Sequence, residues 1–308
     1  MYHRRPLALH SAIATGVAVA GLVATMPAQA QELTGTLKKI KETGVISVGY
    51  ADAKPPFSFV DSRKNVVGYA IDVCNNVIGA VRTALRKPDL KVQMLPIKAD
   101  DAISFVRSGA IDLHCGPVTN TYEHKAQVDF GMTYYVLQYR YASKEWSHMM
   151  EIEDIGGKSI ATMYGSPAMR ALEALDASRG LGVRLLPANT NEQAWATFDS
   201  GEADAVAMDD VSLAQFVARA KELVMTSSAS LSVEPYSLVF ARGDAPFRAI
   251  VLDTMSRFYR SGGVQPSYRK WFQTVNAPSA TNLSPEVSAA LEKVFRNPTD
   301  SPDPAYYK

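Results

Sequence analysis

Two rhythms of apolar residues alternate along the chain from Gly44 onward. Short apolar runs that suit strands are followed by longer segments whose apolar residues recur every three or four positions, as on one face of a helix. This predicts a strand over 45–50, a Pro-containing loop over 51–59, a helix over 69–87, a strand over 90–97 and a helix over 100–107. A strand over 111–115 then runs into Gly116-Pro117, read as a turn, and Thr119-Asn120-Thr121 is placed to cap a helix opening near Tyr122. Such a junction gathers backbone N–H groups and small hydroxyls at one point, which suits an anionic head group.

A long β-prone run over 134–142 opens a second series. It comprises strands over 159–163, 183–186 and 203–208 and helices over 167–177, 192–199 and 211–220, the first with Pro at its opening position. A second β-prone run over 236–241 precedes a helical part over 245–272. Beyond Phe272 the composition shifts to Asn, Ala, Pro, Ser and Thr, with one amphipathic helix over 285–295. That tail is expected to pack on the first lobe, with residues 300–308 mobile.

An internal echo ties the two series together. Ser108-Gly109-Ala110-Ile111-Asp112 recurs 92 residues on as Ser200-Gly201-Glu202-Ala203-Asp204, and Ala102 matches Ala194 at the same offset. Strand and helix in alternation argue for parallel strands covered by helices, and the echo argues for two copies of one α/β unit. The expected architecture is therefore α/β with two lobes, each a mixed sheet flanked by helices, the β-prone runs crossing between them as a two-strand hinge. Ligands of open α/β sheets bind beyond the carboxyl ends of the strands, so two facing edges make a cleft.

Charge and leader narrow the function. Residues 1–30 have a basic start at Arg4-Arg5, an apolar run and a small-x-small end at Ala28-Gln29-Ala30, the form of a cleaved secretory signal. Its removal takes the formal charge from +1 to −1, which gives no basic surface for nucleic acid. Two Cys in an exported chain suit one disulfide, whereas Cys74 shares a helical face with Ala70, Val77, Ile78 and Val81, which suits a buried thiol; both readings stand. The chain has no Gly-rich phosphate loop, no Gly-x-Ser-x-Gly, no His-Glu-x-x-His and no Cys-x-x-Cys. His114 and Cys115 adjoin on a strand, so they point to opposite faces and share no metal. Binding without chemistry, cofactor or metal is the expected class.

The combination of residues 44–50 (Gly-Val-Ile-Ser-Val-Gly-Tyr), Pro55-Pro56-Phe57-Ser58-Phe59, Val67-Gly68-Tyr69, Cys115-Gly116 with Thr119-Asn120, Ala207-Met208-Asp209-Asp210 and Lys270-Trp271-Phe272 resembles the family 3 periplasmic solute-binding proteins of ABC importers. It looks most like the glutamate/aspartate-binding branch. The resemblance implies the type II periplasmic binding protein fold, with lobe 1 over 31–137 plus 239–275, lobe 2 over 138–238 and a tail over 276–308. It implies a monomer in the periplasm, a small polar organic ligand such as an amino acid, and an inner-membrane ABC permease as partner.

By position, Thr119 matches the hydroxyl that helps grip an α-carboxylate, Asp209 the acceptor of the α-ammonium, and Ser166 a hydroxyl-bearing position of the second lobe. Tyr50 and Phe57 line the first loop, as ligand contacts or as core. The departures are specific. His124 stands where the family has an Arg, Pro117 at a serine-type position, and Ala51 and Ala102, beside Asp100 and Asp101, where basic residues would hold an acidic side chain. His124 is either a conditional cation for a carboxylate or an ordinary helix residue beside Lys125, and Asp209 is either a ligand acceptor or a helix N-cap. Glutamate and aspartate are expected to bind poorly. The rival reading is an enzyme on the same scaffold resembling the cyclohexadienyl dehydratases, using a cleft carboxylate or His124 as acid–base group.

Overall fold

The computed structural model describes residues 1–3, 33–98, 101–274 and 287–307. The expected signal segment, Asp100 and the start of the tail lie outside the described residues, apart from residues 1–3 at the leader's start. From Leu33 on, the elements are α1 (Gly35–Thr43), β1 (Val45–Tyr50), β2 (Ala53–Lys54), β3 (Ser58–Val60), β4 (Val66–Val67), α2 (Tyr69–Leu85), β5 (Lys91–Pro96), α3 (Ala102–Arg107), β6 (Leu113–Thr119), α4 (Tyr122–Lys125) and β7 (Asp129–Phe130). They continue with β8 (Tyr135–Lys144), β9 (Ser159–Met163), α5 (Pro167–Arg179), β10 (Arg184–Ala188), α6 (Asn191–Asp199), β11 (Ala205–Asp209), α7 (Asp210–Val217), β12 (Val224–Thr226) and β13 (Ser232–Phe240). Helices α8 (Ala245–Arg260), α9 (Val264–Tyr268) and α10 (Ala289–Arg296) complete the chain. Among the described residues no helix is long and apolar enough to cross a membrane.

The main sheet runs β10-β9-β11-β8-β13-β6-β1-β5. Pairs within the outer parts, β1 with β5 and β6 and β9 with β10 and β11, are parallel, as the helical crossovers require. The two β-prone runs are β8 and β13, antiparallel partners in register from Ser232↔Tyr139 to Tyr236↔Tyr135, and they join the two lobes. The fold is α/β, with the mixed sheets and two-strand connection that the sequence implies.

The internal echo has a physical counterpart. Asp112 Oδ2 accepts from the Ser47 N–H at 2.9 Å, and Asp204 Oδ2 accepts from the Ser159 N–H at 2.8 Å. Each carboxylate thus sits before a strand and clips it to the opening of its neighbour. Ala102 and Ala194 are both fully buried on the helices that precede.

Cys74 of α2 and Cys115 of β6 form a disulfide, with Cα atoms 5.9 Å apart. This settles the open alternatives: the helix face predicted for a buried thiol is buried, and the thiol is bonded. Asp72, at the start of α2, accepts from Trp271 Nε1 at 2.7 Å, Ser267 Oγ at 2.9 Å and Lys270 Nζ at 3.2 Å, so the Lys-Trp-Phe motif ties the end of the chain to this helix.

Two expectations are corrected. Gly116-Pro117 is no turn: β6 continues to Thr119, because the register with β13 shifts between Ser237 and Val239 and the irregularity accommodates a residue with no N–H. The helical part expected over 245–272 is present as α8, α9 and a further helical turn over 269–273, with a break at Ser261-Gly262-Gly263, where Gly262 takes φ +78°. The tail end is docked where mobility was expected. Asp300 pairs with Lys125 at 3.0 Å and Arg248 at 2.7 Å, and the buried Tyr307 exchanges a 2.8 Å hydrogen bond with Thr133.

Candidate functional site

The expected cleft residues fall on the ends of strands and the first turns of helices. Thr119 ends β6, and two residues later Thr121 caps α4, its hydroxyl accepting from the His124 N–H at 3.1 Å. The cap turns the imidazole back onto the strand, where His124 Nδ1 lies 2.8 Å from the Thr119 carbonyl. A carbonyl only accepts, so Nδ1 carries the proton and Nε2 is the ring's other hydrogen-bonding atom. Lys125, the alternative cation beside His124, is taken up by Asp300 and does not serve the cleft.

On the other lobe, Asp209 ends β11 and caps α7, its Oδ1 accepting from the Ser212 N–H at 2.8 Å. A carboxylate has two oxygens, so the cap leaves Oδ2 as an acceptor. Ser166 is buried and caps α5, accepting from the Met169 N–H at 3.1 Å, with Thr162 Oγ1 at 3.3 Å. Its hydroxyl is therefore tied into its own helix. Phe57 is core: its ring meets Tyr135 edge-on at 4.8 Å, Tyr236 at 5.5 Å and Phe272 at 5.7 Å. Tyr50 ends β1, half-buried, and its carbonyl receives the Ile97 N–H.

What links Thr119, His124 and Asp209 is a residue the sequence reading did not single out, Glu234 on β13. Thr119 Oγ1 donates to Glu234 Oε2 at 3.0 Å. Burial raises the Glu234 carboxyl above its usual range and the Asp209 carboxylate adds to this, while Thr119, Arg170 and His124 pull it back. Thr119 is thus bonded to this carboxyl, and Asp209, Arg170 and His124 are the charges that act on it. Tyr139 stands between the two acids in the sheet, because its cross-strand partners are Asp209 on β11 and Ser232 on β13, and Glu234 is two residues further along the same face. Tyr236 follows on that face, so the hinge strands lay tyrosines and a carboxylate along one side.

Asp210, next to Asp209, is pushed up to about 7, by burial first and by Asp209 second, against Arg140, the Gln138 backbone N–H and the Tyr135 hydroxyl. Its Oδ1 is buried and accepts no hydrogen bond among the described residues. Arg140 itself is engaged by Gln138 Oε1 at 2.8 Å and the Ser227 carbonyl at 3.2 Å. Glu234, Tyr139 and Arg170 were missed because the second β-prone run was cut at Tyr236, after Pro235, and because a helical Arg gives no signal by itself. The alternation Ser232, Glu234, Tyr236 was the available clue.

Ala51 and Ala102 are 4% and 0% exposed, so neither offers a polar contact of its own side chain. Behind them lies His114, fully buried on the sheet face opposite Cys115, as neighbours on a strand require. Its room comes from two glycines: a Cβ on Gly116 or Gly49 would come within 2.7 Å of Nε2 or 2.9 Å of Nδ1. Neither ring nitrogen has a hydrogen-bond partner among the described residues, and burial drives its pKa down to about 4. No group of three His, Cys, Asp or Glu able to hold a metal is found among the described residues.

The family model for bacterial extracellular solute-binding proteins, family 3, matches residues 46–274. The L-glutamate/L-aspartate-binding protein of Pseudomonas aeruginosa is 34% identical over 286 residues, covering 92% of this chain and 95% of that protein. The glutamate/aspartate import solute-binding protein of Escherichia coli is 31% identical over 270 residues, 86% of this chain and 88% of the relative. Among solved structures, the unliganded open L-cystine solute receptor of Neisseria gonorrhoeae aligns with a TM-score of 0.63 over 78% of this chain and 98% of that one, at 18% identity, a likeness of fold. With a family model spanning most of the chain and relatives above 30% identity along nearly its full length, the chain belongs to the bacterial extracellular solute-binding proteins, family 3.

Proposed function

We propose that the chain is the periplasmic substrate-binding subunit of an ABC importer, closing two lobes around an amino acid or a related small polar solute and delivering it to an inner-membrane permease. In this reading residues 31–137 plus 239–275 are lobe 1, residues 138–238 lobe 2 and residues 276–308 a tail, after cleavage of a signal segment over 1–30. The observation that carries this reading is the hydrogen bond from Thr119 at the end of β6 to Glu234 on the hinge strand β13, with His124 held on the Thr119 carbonyl and Asp209 set across Tyr139 from the same face of β13. A small solute placed there touches both lobes, so its binding free energy favours the closed form that a permease reads. The relatives' named ligands, glutamate, aspartate and cystine, make an amino acid the reference chemistry.

The same geometry argues against the acidic amino acids. Asp209 and Glu234 bring two acids to the site, and Ala51 and Ala102 add no cation to Arg170 and His124 there. Thr119, His124 and Asp209 are the ligand contacts proposed, with Tyr50 at the rim, Phe57 as the aromatic floor and Ser166 fixing α5. The role is binding by a monomer without cofactor or catalysis. A thermal-shift screen of protein that has been unfolded, stripped of ligand and refolded tests this, since a ligand at a hundred times its Kd adds about 2.7 kcal/mol to stability. Stabilisation by a member of an amino-acid and amine panel supports the reading; no response across that panel refutes it.

A further inference from the structure

The hydroxyl that the resemblance reserves for a ligand carboxylate already has a carboxylate. Thr119 donates to Glu234 Oε2, and its carbonyl holds His124 Nδ1, so the strand end, the imidazole and the acid form one connected group. Arg170 and His124 are the cationic influences on that acid, and both act to keep it ionised. The protein's own side chain therefore stands in the position of the anionic head group.

A ligand carboxylate entering here would displace Glu234 from Thr119 and lie near Asp209 as well. Two like charges in close approach in a half-buried site repel each other more strongly than in water. An entering cation meets the opposite situation. Asp209 caps α7 with Oδ1 and has Oδ2 to offer, Glu234 has a second oxygen, and Asp210 Oδ1 is buried with no hydrogen-bond partner among the described residues. Tyr139 lies between Asp209 and the row of Glu234, and Tyr236 and Phe57 continue the aromatic lining. Carboxylates flanked by aromatic rings recognise ammonium groups by charge and by cation–π attraction together.

We propose that the cleft selects an organic amine without a free α-carboxylate, its ammonium held between Glu234 and Asp209 against the ring of Tyr139. This rests on the solute-binding reading and names the head group within it: the amine is the ligand's contribution, and the carboxylate is the protein's.

The test uses refolded, ligand-free full-length protein and calorimetric titration of matched pairs that differ only by the carboxylate: lysine and cadaverine, ornithine and putrescine, tyrosine and tyramine. The expected result is that the amine of at least one pair binds tenfold or more tighter than its parent. Glu234→Gln, which keeps the shape and a hydrogen bond to Thr119, is expected to weaken that amine by about 10–100-fold. Equal affinity within every pair, or preference for the amino acid, overturns the proposal, and wild-type protein alone decides it if the variant does not fold. Glu234→Gln binding the amine as tightly as wild type also overturns it. If only solutes without an amine bind, the proposal fails while the solute-binding reading stands; if nothing in a broad panel binds, the solute-binding reading itself fails.

Discussion

His114 and Asp210 are buried titrating groups with opposite effects on stability, and replacing either one exposes the other. The His114 pKa falls from 6.5 to about 4 on folding, so between those values the unfolded chain binds the extra proton. Its contribution is present above pH 6.5 and is lost as the pH falls toward 4, a change of about 3 kcal/mol at 1.36 kcal/mol per unit. The Asp210 carboxyl rises from 3.8 to about 7, so the folded chain binds the extra proton. Its contribution is present below 3.8 and is lost as the pH rises through about 7, a change of about 4 kcal/mol. In the wild type the two slopes run against each other over the same pH window and nearly cancel. The perturbations are His114→Leu, an apolar replacement for a ring whose nitrogens have no hydrogen-bond partner among the described residues, and Asp210→Asn. The assay is urea unfolding of ligand-free protein at pH steps from 4 to 7.5. Relative to wild type, His114→Leu should lose about 3 kcal/mol more on going from pH 4 to 7, and Asp210→Asn should gain about 4 kcal/mol over that range. Variants whose pH slopes match the wild type would refute the burial of these charges as the cause.

Asp209→Asn separates the two roles assigned to that residue: Asn caps a helix as well as Asp does, so stability should hold while calorimetry shows ligand affinity falling tenfold or more. Unchanged affinity would leave Asp209 a cap alone. Reduction of the Cys74–Cys115 bridge, which spans 41 residues, should lower unfolding stability by about 2–4 kcal/mol, read as a midpoint shift with and without reductant. Asp72→Ala strands the buried Trp271 indole N–H and removes the polar link between α2 and residues 267–271, and should cost about 2–3 kcal/mol in urea denaturation.

Much of the scaffold was legible because it is local. Strands β1 and β9 begin and end where the apolar runs do, and the repeated Gly-x-x-Asp marks two carboxylates that do the same mechanical work in both lobes. What escaped depends on partners distant in sequence. Pro117 reads as a turn residue until β13 supplies an irregular register that accepts it. Asp300 reads as loose polar tail until Lys125 and Arg248 are found beside it. Glu234 is the instructive case: a charge beside a proline ends a β-prone run by local pattern, yet the long pairing with β8 carries the strand through both residues and delivers the acid to Thr119. Of the residues matched by position, Thr119 and His124 are in contact, and the carboxylate that Thr119 meets belongs to a neighbour that no motif contains.

The central claim, that this chain holds a small solute between its lobes and releases it unchanged, is tested most directly by titrating the best-stabilising ligand into refolded protein and recovering it for mass analysis. The account predicts one site per chain, affinity weakened by Asp209→Asn, and ligand of unaltered mass after prolonged incubation. Saturable binding that ignores Asp209 and Glu234 substitutions, or a ligand recovered as a dehydrated or otherwise transformed product, would contradict it.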